Sequence, residues 1–236
     1  MTILTLEFSS AQRSVAVLDL REGSPSPLPK RDGALTERCP PAKMAEAIET
    51  GAGGTRAFEM IESVLREAGL AREQIEVIAV GLGPGSYTGI RVALSIAQGW
   101  QLARGVKLLG VSSAECLVAQ AQAEKIFGRV NVVIDAQRNE FYLAVYEISS
   151  RGWKEIEPLR ITALAGMQTQ SHAGEIPVGP EVTRWLPKGK ILFPSALTLG
   201  RLAAERSDFV SGDKLAPVYL RETNFIKAPP HNPVAF

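Results

Sequence analysis

Val80-Gly-Leu-Gly-Pro-Gly-Ser-Tyr-Thr-Gly-Ile-Arg-Val92 is the stretch on which the fold turns. Before it, Ile75-Glu-Val-Ile-Ala-Val-Gly81 is a short apolar run with β-branched residues, bounded by glycine, the pattern of a buried strand. After it, Ile90 to Arg104 contains no proline and is apolar over most of its circumference, the pattern of a buried helix. The chain therefore passes from strand to helix through a glycine-rich loop, as α/β folds do. Gly83, Gly85 and Gly89 permit positive φ and close backbone approach, and Thr88 is placed to cap the helix. Free amides at a helix N-terminus form an anion site, which makes Gly83, Gly85, Ser86 and Thr88 candidate phosphate contacts. The spacing fits neither the lysine-bearing P-loop nor the G-x-G-x-x-G dinucleotide pattern. A tight turn with close helix–sheet packing accounts for the glycines at least as well.

Working outward, a weak internal repeat suggests two related halves. Ile3-Leu-Thr-Leu-Glu7 reads as a strand ending on an acid, with Val15-Ala-Val-Leu18 as its return strand. Asn131-Val-Val-Ile-Asp135 ends the same way, and Leu143-Ala-Val-Tyr146 follows after a turn of equal length, so Glu7 maps onto Asp135 and Val15 onto Leu143. Between the hairpins, prolines 25, 27, 29, 40 and 41 mark a loop-rich stretch around a short strand near Gly33 to Cys39. Thr55 to Ala68 is predicted as a helix that Gly69 stops, with Ala57, Phe58, Ile61, Val64, Leu65 and Ala68 on one face. A second helix is expected over Ser113 to Phe127, capped by Ser112 or Ser113, and another over Ser195 to Arg206. Residues 151 to 195 read as turns and short strands. Ala216 to Arg221 reads as a closing edge strand, because Pro217 cannot donate in a central one. The tail Ala228-Pro-Pro-His-Asn-Pro-Val-Ala-Phe236 is broken by proline and expected to be disordered.

Composition narrows the function classes. The chain has 236 residues, 45% hydrophobic and 22% charged, enough for one large domain or two small lobes. Its 26 basic and 25 acidic residues leave a net charge of +1, without the basic excess of a protein that grips nucleic acid unaided. No apolar run reaches the roughly 18 residues of a membrane span, and Met1 to Glu7 reads as a strand start and not a signal peptide. Two cysteines, Cys39 and Cys116, show no disulfide or zinc spacing and fit a reducing cytoplasm. The two histidines, His172 and His231, form no metal pair, and Ser86 is not in a G-x-S-x-G elbow. Glu7 and Asp135 are a possible carboxylate pair for Mg²⁺ beside phosphates. Each is equally the strand-end acid that caps a turn or meets an arginine, the preferred account for Asp135.

A family resemblance covers residues 3 to about 221. Ile3-Leu-Thr-Leu-Glu-Phe-Ser-Ser10, Gly81 to Arg91, Ile96-Ala-Gln-Gly99, Gly110-Val-Ser-Ser113, Ile134 to Tyr142 and Pro217-Val-Tyr-Leu-Arg221 together resemble the bacterial TsaB (YeaZ) family of glycoprotease-like (peptidase M22) proteins. The resemblance implies an α/β, actin-like ATPase fold of two ribonuclease-H-like lobes. Residues 1–106 with 196–226 would be the first lobe, 107–195 the second and 227–236 a disordered tail. It implies a part in making N6-threonylcarbamoyladenosine in tRNAs reading codons that start with A, without catalysis by this chain. The implied partners are a TsaD-type paralogue that holds the metal and transfers the group, a TsaE-type ATPase, and tRNA through the complex. ATP or ADP would bind only in that complex, and a homodimer would form in isolation. Glu7 stands where the family has aspartate and Gly53 where many members have histidine. The implied interface joins the helix Thr55–Ala68 to the helix Thr88–Arg104, with Arg56, Phe58, Met60, Ile61, Val64 and Arg91 as candidate contacts and Phe58 and Met60 as anchors. The competing expectation is an ATP-dependent phosphotransferase of the same fold, clamping Mg-ATP with Glu7, Ser9, Ser10, Gly83, Gly85 and Ser86.

Overall fold

The structure, a computed structural model, describes residues 1–21, 43–51, 56–166 and 174–220. Strands β1 (Thr2–Glu7) and β2 (Gln12–Asp19) form an antiparallel hairpin with Thr2 opposite Asp19 and Glu7 opposite Ser14. Strand β3 (Lys43–Thr50) pairs outside β2, while β4 (Val77–Gly81) and β5 (Lys107–Val111) run parallel to β1 on its other side. The sheet order is β3-β2-β1-β4-β5. β1 and β4 are buried along their whole length and covered on both faces, β4 as an apolar run and β1 with Thr2, Thr5 and Glu7 buried among its aliphatic residues. Helices α1 (Ala57–Ala68) and α2 (Tyr87–Arg104) cover one face, packing Ile61, Val64, Ala93 and Ala97 on Leu4, Leu6, Val17 and Ile78.

A second sheet, ordered β10-β9-β6-β7-β8, follows. Its strands are β6 (Gly128–Gln137), β7 (Glu140–Ser149), β8 (Gly152–Ala163), β9 (Ile176–Gly179) and β10 (Lys190–Ile191). Helices α3 (Ser113–Ala123) and α4 (Ala196–Ala204) share one core with both sheets, running from Ile3, Ala79 and Leu109 through Leu117 and Leu199 to Val132, Ala144 and Val178. The N-terminus of α4 is fastened to the first sheet. Ala196 N donates to Ser14 Oγ at 2.7 Å, Leu197 N to Glu46 Oε1 at 3.0 Å, and Thr5 Oγ1 donates to Ala196 O at 2.8 Å.

Several expectations are corrected. α2 begins at Tyr87 and is capped by Ser86, whose Oγ accepts from Gly89 N at 3.3 Å; Thr88 sits inside the first turn. α2 is not buried all round, since Arg91, Ser95, Gly99 and Leu102 face solvent. α3 stops at Ala123, short of Phe127, where Lys125 turns the chain with φ 60°. The 151–195 stretch contains the twelve-residue strand β8, not turns and short strands alone. Residues 216–220 form no strand, although Val218 N donates to Leu82 O at 2.9 Å. The two hairpin turns also differ in length. The first spans residues 8–11, whereas the second is Arg138-Asn139, both at φ 59°, with a register shift between Asp135 and Gln137. The strand expected near Gly33 to Cys39, Gly53, both histidines and the 227–236 tail lie outside the described residues.

Candidate functional site

Glu7 ends β1 with its side chain fully buried. Its Oε1 accepts from Ser9 N at 2.8 Å and its Oε2 from Ser113 Oγ at 2.9 Å. Ser113 Oγ in turn accepts from Gly83 N at 3.2 Å, and Ser113 N donates to Gly83 O at 2.8 Å. One carboxylate thus ties the end of β1, the β4–α2 loop and the start of α3 together. Burial pushes the Glu7 carboxyl above its ordinary value, against the pull of the Ser9 and Ser113 hydrogen bonds.

The glycine loop closes on the same place. Gly83 and Gly85 have φ 84° and 146°, and methyl groups at Gly85 and Gly89 would run into the carbonyls of Ser9 and Phe8. Ser86 N donates to Ser9 O at 2.6 Å, and Ser10 Oγ donates to Gln12 O at 2.7 Å. The amides of Leu82, Gly83, Ser86 and Gly89 all donate inside the protein. Glu7, Ser9, Ser10, Gly83, Gly85 and Ser86 are therefore brought together, with Glu7 bonded to Ser9 and Ser113, Ser86 to Ser9, and Ser10 to Gln12. The carboxylate is sealed, and the loop lies directly on the β1–β2 turn. Thr88 is apart from this network, exposed on the first turn of α2.

Other candidate chemistry is similarly absorbed. Asp135 closes its own turn, accepting from Gln137 N at 2.7 Å and from Gln137 Nε2 at 3.0 Å. Among the described residues no group of three histidines, cysteines or acids is placed to hold a metal ion. Cys116 is fully buried, and burial pushes its thiol well up, which disfavours a thiolate. No helix among the described residues is long and apolar enough to cross a membrane.

The open surface lies on α1 and α2. α1 turns Ala57, Met60, Ile61, Val64, Leu65 and Ala68 inward. Met60, Ile61 and Val64 therefore belong to the core and are not available as contacts, because α1 rolls them onto β2 and β3. Phe58, expected on that stripe, is instead 64% exposed. Between it and α2 runs a groove of about 610 Å³, lined by Phe58, Tyr87, Arg91, Val92, Ile96 and Trp100 among others. Small residues floor its α2 side at Ser95 and Gly99, and nothing lies within 4 Å of where a Gly99 methyl would stand.

A polar and aromatic cluster closes one end of the groove. The Arg91 guanidinium lies 4.2 Å from the Tyr87 ring centroid, and Arg91 Nε donates to Tyr219 Oη at 3.2 Å. The Tyr87 and Tyr219 centroids are 6.1 Å apart. Arg56, just before α1, is paired with Glu49 at 3.0 Å and Glu59 at 3.7 Å. Sequence reasoning missed Tyr87, Val92, Ser95, Trp100 and Tyr219. The helical spacing of Thr88, Val92, Ser95 and Gly99 is a signal for Val92 and Ser95, and Tyr219 stands in the Pro217–Arg221 motif without a spacing that would tie it to α2.

Residues 55–224 match the family described as TsaD, tRNA N6-adenosine threonylcarbamoyltransferase. The chain is 30% identical over 185 residues to the tRNA threonylcarbamoyladenosine biosynthesis protein TsaB of Escherichia coli (strain K12), covering 70% of this chain and 79% of that one. It is 25% identical over 165 residues to the protein of the same name from Bacillus subtilis (strain 168), covering 70% of this chain and 63% of that one. Among solved structures, YeaZ from Pseudomonas aeruginosa superimposes with a TM-score of 0.73 at 25% identity, over 93% of this chain and 99% of that one.

Proposed function

The chain belongs to the TsaB (YeaZ) family, and from that premise we propose that it acts in forming N6-threonylcarbamoyladenosine in tRNA as the non-catalytic partner of a TsaD-type paralogue. The tRNAs would be those reading codons that start with A. The observation that carries the partner role is the α1/α2 groove. Two helices present an apolar trough with Phe58 standing beside it and a glycine left bare in mid-helix, a surface suited to two further helices. The family matched over residues 55–224 bears the transferase's name, and two chains of one fold can pair through equivalent faces. Apolar burial at roughly 25 cal/mol per Å² would supply the drive, less the cost of association.

In this reading a TsaE-type ATPase and tRNA join through the pair, and ATP or ADP binds only in the complex. A second copy of the chain takes the paralogue's place when it is absent. The buried Glu7 and the loop packed on Ser9 support assigning nucleotide chemistry elsewhere than on this chain alone. The test is calorimetric titration of the chain with its cognate paralogue, repeated with Ser95→Trp, which fills the groove from an exposed position. At least a tenfold loss of affinity with unchanged thermal stability is expected; equal affinity would overturn the assignment of this face. Micromolar binding of Mg-ATP to the lone chain, abolished by Glu7→Ala, would favour the phosphotransferase alternative.

A further inference from the structure

We propose that Arg91 decides between the two occupants of the α1/α2 groove, opposing a second copy of the chain and favouring a paralogue helix that carries a carboxylate. The proposal deepens the preceding reading and rests on it. Among the described residues Arg91 is the one charged member of a lining that is otherwise apolar or neutral. Its guanidinium is held before any partner arrives. The flat face lies 4.2 Å from the Tyr87 ring centroid, and Nε donates to Tyr219 Oη at 3.2 Å. Tyr219 follows Val218, whose N donates to Leu82 O at 2.9 Å, so the loop that starts α2 also places the phenol. The remaining donors, on Nη1 and Nη2, are paired with no carboxylate among the described residues. Arg56 beside it differs, since Glu49 and Glu59 already hold it.

Covering the groove strips water from Nη1 and Nη2. A guanidinium desolvated without an acceptor opposes association, whereas one met by a carboxylate gains a forked, charge-assisted pair of hydrogen bonds. A fork already stacked and bonded loses less side-chain freedom on pairing. A second copy brings the wrong charge. When two identical grooves meet, each offers the other an arginine and no lining acid. On α1, Glu59 is already paired with Arg56 at 3.7 Å and Glu62 with Arg72. Glu67 stands near the C-terminal end of α1, outside the groove's lining. Self-pairing is thus tolerated, and a paralogue that presents an aspartate or glutamate to Arg91 displaces it. Discrimination comes from the charge left unpaired in the wrong complex as well as from the pair formed in the right one.

The test measures two equilibria on the full chain, Arg91→Leu and Arg91→Lys. Self-association is read by sedimentation equilibrium and binding to the cognate TsaD-type paralogue by calorimetry, with thermal melts as the check on folding. Arg91→Leu keeps apolar bulk and removes the charge. Its self-association is expected to tighten at least about threefold while its affinity for the paralogue falls at least about tenfold. Arg91→Lys keeps the charge without the fork, so its paralogue affinity should fall about threefold or more with self-association unchanged. A groove that is merely distorted weakens both equilibria, so the opposite signs are the decisive readout. Weakening of both by Arg91→Leu at an unchanged melting temperature overturns the proposal, because an acid of the second copy such as Glu67 is then the acceptor. So does an unchanged paralogue affinity. If Arg91→Leu melts early, Arg91→Gln carries the same expectation. A parent chain that does not bind the paralogue at all sinks the partner reading and the proposal with it, whereas intact parent binding without the opposed signs sinks the proposal alone.

Discussion

Glu7 contributes a pH dependence opposite in sign to that of Asp19, whose carboxyl the Arg21 guanidinium holds down to about 2. Burial raises the Glu7 carboxyl above the ordinary value, so the folded chain holds that proton more readily than the unfolded chain. Stability from this group is therefore greatest at low pH and falls as pH rises through the window above the ordinary carboxylate value. Glu7→Gln stays neutral throughout. The stability of the variant relative to the parent should grow from pH 4.5 towards neutrality and then level off. Parallel urea-unfolding curves across that range would show that the carboxylate is not sealed. Gly89→Ala should cost about 2–4 kcal/mol, because its methyl meets the Phe8 carbonyl across a helix–turn contact that cannot yield cheaply. The glycines at 83, 85 and 89 were legible because a short glycine-rich run carries its own backbone logic. The Glu7–Ser113 bond was not, since it joins residues 106 apart and depends on where α3 begins.

At the scale of elements, the two faces of α1 separate stability from association. Ile61→Ala should lose about 2–5 kcal/mol of stability, as a fully buried aliphatic does. Phe58→Ala should leave the melting temperature nearly unchanged and weaken paralogue binding by about tenfold or more. Gly99→Ala is the sharper discriminator. Helix propensity should stabilise the free chain by up to about 1 kcal/mol, while the added methyl keeps a partner helix away, so a rise in melting temperature with a fall in affinity is expected. Calorimetry on the same samples used for thermal melts checks both. Periodicity located α1 but misjudged its rotation, because Phe58 lies at the edge of the stripe and only contact with β2 and β3 selects Met60. β3 escaped notice since Lys43-Met-Ala-Glu-Ala-Ile-Glu-Thr50 has the makings of a helix, and pairing with β2 overrides that preference. β8 escaped it because Lys154, Glu155, Glu157 and Arg160 break the apolar alternation, as befits an edge strand.

Over the whole molecule, the duplicated hairpin indicated two related sheets, and two five-stranded sheets are present. The repeat was legible because each hairpin is local, whereas the unequal turns needed the register itself. What joins the halves is less symmetric. The chain leaves the first sheet from β5 into α3, and it comes back when α4 is pinned by Ser14, Glu46 and Thr5. Two covalent crossings, and not one, therefore run between the sheets. A domain hung on a single linker can swing like a pendant; one held by two can only twist about the line through both, as scissor blades do. Proteolytic nicking at either crossing would leave the halves joined through the other, so a cut protein should still travel as one particle on a sizing column and part only under denaturant.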